Sequence, residues 1–129
     1  MNGKEYQNLA MRTNDGNATN RLLNLTLSDT TENGIGEDTG VILNACLGLS
    51  GEVGEFNDMI KKWIFQGHKL DTEHLAKELG DIAWYLAISA DAIGYDLETI
   101  IRMNVEKLRA RYPDGFDSER SIHRSENDI

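Results

Sequence analysis

The sequence is poor in the residues that most often carry chemistry. It holds one cysteine, Cys46, so no disulfide can form within the chain, and a lone thiol fits a reducing compartment. Cys46 falls on the apolar face of a predicted helix and is expected to be a buried structural thiol rather than a nucleophile. Met1–Gln7 has no apolar run of signal-peptide type, and no stretch has the length and apolarity of a membrane span. The expectation is a cytoplasmic protein with no membrane partner. Positive charge is also short: 13 Lys and Arg against 22 Asp and Glu leave a net charge of -9, with a pI near 4.7. That balance argues against a nucleic-acid polymer, which is held mainly by clustered cations. A small anionic ligand stays open if a metal reverses the local sign. No Gly-Lys-Ser/Thr follows Gly34-Ile35-Gly36 or the glycines between Gly48 and Gly54, so there is no P-loop. Glu-x-x-His is missing as well, which removes the carboxylate-bridged di-iron bundle. His68, in a turn, and His74, at a helix start, read as surface or capping residues.

The 129 residues are enough for one compact domain with its own core, and a chain 27% charged and 40% hydrophobic is ordinary for a globular protein. Tyr6, Leu9, Ala10 and Thr13 recur at helical spacing and predict a short first helix over Lys4–Thr13, ended by the turn cluster Asn14-Asp15-Gly16-Asn17. Leu22, Leu23, Leu25 and Leu27 fit a helical turn or an extended piece equally well. Ser28–Gly36 is polar and reads as a loop, so the segment 14–40 is left unassigned. From about Glu37 to Phe65, Ile42, Cys46, Leu49, Val53, Phe56, Ile60 and Ile64 form one apolar stripe of a long helix, with Gly67 as its stop. Asp71 or Thr72 caps a third helix with the stripe Leu75, Leu79, Ile82, Leu86, Ala90 and Ile93. Asp96 caps a fourth with Leu97, Ile101, Val105, Leu108 and Tyr112, ended by Pro113. No strand is predicted. The fold class expected is all-α: an antiparallel four-helix-bundle-like protomer formed by residues 1–116, followed by a charged tail, 117–129, that frays unless a partner subunit holds it.

Two short stretches place carboxylates three residues apart. They are Gly51-Glu52-Val53-Gly54-Glu55 and Glu78-Leu79-Gly80-Asp81. At about 100° per residue, Glu52 and Glu55 lie on one flank of their stripe, and Glu78 and Asp81 are displaced in the same sense on theirs. In an antiparallel hairpin all four project to one edge. Like charges so crowded repel unless a cation answers them. Glu52, Glu55 and Asp81 each follow a glycine, which costs a helix about 0.5–1 kcal/mol relative to alanine and suggests close approach beside the acids. Oxygen-only ligands at this spacing favour Mg2+, with Mn2+ as the substitute, over zinc. On the fourth helix Asn104, Lys107 and Arg111 form a row on the same rotational side, and the two cations could meet phosphate oxygens.

The ordered blocks Gly48-Leu49-Ser50-Gly51-Glu52-Val53-Gly54-Glu55, Lys61-Lys62 and Glu78-Leu79-Gly80-Asp81-Ile82-Ala83-Trp84-Tyr85 are followed by Asn104 and then by Lys107–Phe116. Together they resemble the MazG-like nucleotide pyrophosphohydrolases of the all-α NTP pyrophosphatase group. The resemblance covers Ala45–Phe116, with a weaker echo from Glu5 to Thr13. The family pattern is Glu-Glu-x-x-Glu followed by Glu-x-x-Asp, and here Gly51 stands at its first position. What the resemblance implies is Mg2+-dependent hydrolysis of a nucleoside triphosphate, NTP or dNTP, to the monophosphate and pyrophosphate. Glu52, Glu55, Glu78 and Asp81 are the implied metal ligands and catalytic carboxylates. Asn104, Lys107 and Arg111 are candidate ligand contacts, and Trp63, Tyr85 and Tyr112 are candidates to stack on the base, with a core or interface role as the competing reading of each aromatic. The group assembles as dimers or dimers of dimers, and a bundle this small gains core by doing so. Two further readings compete: a non-catalytic nucleotide or metal sensor, motivated by Gly51, and an acidic helical interaction module.

Overall fold

The computed structural model describes residues 1–27 and 38–123, and every regular element among them is helical. The predicted loop Ser28–Gly36 and the tail beyond residue 123 lie outside the described residues. The helices are α1 (Gly3–Met11), α2 (Ala18–Leu27), α3 (Thr39–Gln66), α4 (Thr72–Ala92), α5 (Leu97–Arg111) and a short α6 (Ser118–Ile122) within the tail.

Local chemistry sets the ends of these helices. Asn2 and Glu5 form a capping box on α1. Asp38, Asp71 and Asp96 each accept a hydrogen bond from the backbone N–H three residues on, opening α3, α4 and α5. Gly67 ends α3 in the left-handed conformation, φ 71°, and the His68 N–H returns to the Lys62 carbonyl at 3.2 Å. Gly94 does the same work at the end of α4, φ 77°. The segment of uncertain type around Leu22 is helix α2, so four closely spaced leucines can take helical form without a clean stripe.

The dominant packing is α3 against α4 as an antiparallel hairpin, with smaller contacts of α5 on α4 and of α2 on α3. Among the described residues these contacts form a hairpin with flanking helices. The seam is also rotated relative to the predicted stripes. Ala45 is fully buried while its neighbour Cys46 is exposed, so the expectation of a buried thiol is corrected. On α4 the inward row runs through Leu75, Glu78, Ile82 and Tyr85, leaving Leu79 and Leu86 exposed. Both helices have turned their acidic flank toward the seam.

Gly48 accounts for part of that rotation. A Cβ at Gly48 would lie 2.1 Å from the Tyr85 ring, so only a glycine lets the ring lie against the α3 backbone. Gly51, Gly54 and Gly80, by contrast, have no atom within 4 Å of where a Cβ would stand, so the expected close approach beside the acids is not made within the chain. Opposite outcomes follow for two like substitutions. Gly48→Ala is expected to destabilise by about 1–3 kcal/mol through overpacking, whereas Gly51→Ala should stabilise by about 0.5–1 kcal/mol through helix propensity. Urea denaturation of both variants checks the sign.

Little of the apolar surface is covered. Among the described residues the buried ones are Ala45, Ala90, Ala92 and Glu78, and no large side chain there is fully buried. Trp84, Ile93, Ile101 and Leu108 are among the large side chains left facing solvent.

Candidate functional site

The α3–α4 seam brings three of the four predicted carboxylates together. One oxygen each from Glu52, Glu55 and Glu78 lies within 4.8 Å of the other two. Asp81, one turn beyond Glu78 and exposed, is outside this group of three, yet its charge still acts on Glu52.

The three glutamates differ in surroundings. Glu78 is the buried one, 6% exposed, whereas Glu52 is half-buried and Glu55 exposed. A buried carboxylate needs partners. The His74 ring supplies one, its Nε2 lying 2.9 Å from Oε1. Glu52 stands among the other acids instead. Loss of hydration, followed by the charges of Glu55, Asp81 and Glu78, accordingly pushes the Glu52 carboxyl above its ordinary value of 4.5. The fold thus concentrates negative charge at a point where only a proton or a cation relieves it.

The donor set fits a hard divalent cation. It is all oxygen, and its spread is a little wider than the roughly 4.2 Å between opposite oxygens around Mg2+, a difference the exposed Glu55 side chain can take up. A cavity of about 440 Å³ opens beside the cluster, with Gly51, Gly54, Glu55, Lys62, His74 and Glu78 among its walls. Lys62 is held there by Asp58, which bridges Lys61 Nζ at 2.6 Å and Lys62 Nζ at 2.5 Å. The two ammonium groups pull the Asp58 carboxyl down to about 2. The sequence had offered Lys61-Lys62 only as part of a family block; their i+3 and i+4 spacing from Asp58 was the signal for this bridge. His74 likewise reads from sequence as a surface or capping residue, although its i, i+4 spacing to Glu78 is visible there.

The remaining predicted site residues lie elsewhere. Asn104 and Lys107 are exposed on α5, and neither they nor Arg111 lines the cavity. The Arg111 guanidinium lies 5.9 Å from the centre of the Tyr112 ring, and Tyr112 packs on Phe116 at 5.4 Å. Tyr85 is engaged in the seam, against Gly48 and edge-on to Trp84 at 4.9 Å. Trp63 is exposed toward the end of α3. No helix among the described residues is long and apolar enough to cross a membrane.

Comparisons with known proteins bear on the same region. The MazG nucleotide pyrophosphohydrolase domain matches residues 42–116. The Gene 37 protein of Mycobacterium phage L5 is 35% identical over 69 residues, which is 50% of this chain and 60% of that protein. No solved structure matches. The domain match takes in α3, α4 and α5, hence all four carboxylates and more than half of the chain. This chain belongs to the MazG nucleotide pyrophosphohydrolase family.

Proposed function

We propose that the protein is a Mg2+-dependent nucleoside triphosphate pyrophosphohydrolase that converts an NTP or dNTP to the monophosphate and pyrophosphate. The observation that carries this reading is the convergence of Glu52, Glu55 and Glu78 from two facing helices beside an open cavity. Glu52, Glu55, Glu78 and Asp81 hold the ion, with Mn2+ able to replace it. When bound, the cation neutralises phosphate charge and orients the chain for attack. The carboxylates do the rest of the work at their own oxygens. One of them accepts a proton from water as the water oxygen adds to phosphorus and the α–β anhydride bond breaks. Lys62, fixed on the cavity wall by Asp58, offers an ammonium to the phosphate chain.

The large apolar side chains left facing solvent on α4 and α5 support a homodimer or dimer of dimers. In such an assembly Asn104, Lys107 and Arg111 contact substrate from a second copy, and Trp63, Tyr85 and Tyr112 remain candidates to border the base. A panel of canonical and modified nucleotides, with products separated by chromatography, tests the reading. The expected result is pyrophosphate and a monophosphate from at least one of them, dependent on Mg2+ or Mn2+. Gly51 favours a second reading, a nucleotide or metal sensor, because one acid of the family pattern is absent where the cavity wall is bare. Tight nucleotide binding without any product from folded protein would establish the sensor instead.

A further inference from the structure

Glu78 is the buried ionisable group among the described residues, and what holds it in place is itself unusual for a helix. His74 lies in the first turn of α4, where its backbone N–H bonds to the Asp71 cap, and its ring reaches forward one turn to the Glu78 carboxylate. Helix energetics give little reason for this order. A basic side chain is disfavoured near a helix N-terminus, and an acid–base pair at i, i+4 is better with the acid first. The same helix carries the favourable order nearby, where Glu73 pairs with Lys77 at 3.0 Å on the exposed surface. The His74–Glu78 bond therefore points to a need at the carboxylate rather than in the helix.

We propose that His74 is a positioning residue for Glu78. Its Nε2–H holds Oε1 and so fixes the rotation of the carboxylate at which Glu78 meets Glu52 and Glu55. A carboxylate that ligates a cation needs such an outer partner to hold its lone pairs on target, and removing a partner of this kind typically weakens metal binding about 10- to 100-fold. The His74 ring also forms part of the cavity wall, so it restrains Glu78 from the side on which substrate enters. The inference rests on the reading of the cluster as a divalent-cation site.

Calorimetric titration of the full chain with Mn2+ alone tests it without recourse to turnover. His74→Ala is expected to weaken Mn2+ binding about 10- to 100-fold. His74→Gln, whose amide N–H can donate across the same turn, recovers most of the loss. Lys77→Ala, which removes an exposed pair from the same helix, leaves affinity unchanged. The thermal midpoints of metal-free His74→Ala and His74→Gln should coincide, since the ring is more than half exposed. Wild-type affinity in His74→Ala would overturn the positioning role and leave the metal site standing. Equal losses in the alanine and glutamine variants would also overturn it, because the donated hydrogen bond would then be irrelevant. Failure of the unaltered protein to bind Mn2+ would sink the cation reading and this role together.

Discussion

Glu52→Gln is expected to make the metal-free protein more stable and, at the same time, indifferent to Mg2+. The direction follows from linkage. The Glu52 carboxyl is raised above 4.5 in the folded chain, so the fold holds that proton more tightly than the unfolded chain does. Its contribution is most favourable at low pH and is lost as pH rises from about 4.5 through the raised value. At pH 7 the metal-free protein therefore carries an unrelieved repulsion among Glu52, Glu55, Glu78 and Asp81 that glutamine removes. A bound cation relieves it in the unaltered protein. At a hundredfold excess over its dissociation constant the ion stabilises by about 2.7 kcal/mol, a rise of roughly 10 °C in a domain of this size. Thermal scans at pH 5 and pH 7, with and without Mg2+, check both halves. A metal-free midpoint that does not fall with pH in the unaltered protein, or a variant still raised by Mg2+, would contradict the electrostatic account.

The larger effect on turnover is expected at Glu78. Loss of a group one step removed from a metal costs up to about 100-fold, so Glu78→Gln, which removes a proposed ligand, is expected to lower Mg2+-dependent pyrophosphate release by more than ~100-fold. Glutamine keeps the shape, so the loss reports charge rather than collapse. Asp81→Asn measured alongside decides a separate point. Asp81 is outside the three-oxygen cluster, and a comparable loss there would bring it into the ligand set, whereas near-normal turnover would leave it as a source of local field.

Much of this site was legible in the sequence, for identifiable reasons. Helices α3, α4 and α5 run long enough for a 3.6-residue period to stand out, and their aspartate caps and glycine stops mark the ends. Because turn and spacing together fix which side chains meet across a hairpin, the convergence of Glu52 and Glu55 with Glu78 could be worked out before any coordinates. The misjudged features share one cause. The predicted stripes are centred on apolar side chains, Leu79 and Cys46 among them, whereas the seam is centred on small residues, at Ala45 and at Gly48 beneath Tyr85. An empty position carries no weight in a hydrophobic pattern, so a face chosen by a missing side chain is hard to see in one. That rotation is also why Glu78, expected on a flank, is buried. Leu22, Leu23 and Leu25 failed differently: their spacing has neither period, and helix α2 has only a small contact with the rest of the described chain.

The Gly48–Tyr85 contact has a meaning for the ion as well as for the fold. It lies one turn of α3 from Glu52 and two turns of α4 from Glu78, and it is a ring seated in a notch, a fit with a single registration. Sliding α4 by one turn would move Glu78 about 5.4 Å along the hairpin, more than the whole width of the three-oxygen group. The notch thus serves as a detent. The spacing of the three carboxylates across the seam is indexed by an uncharged contact.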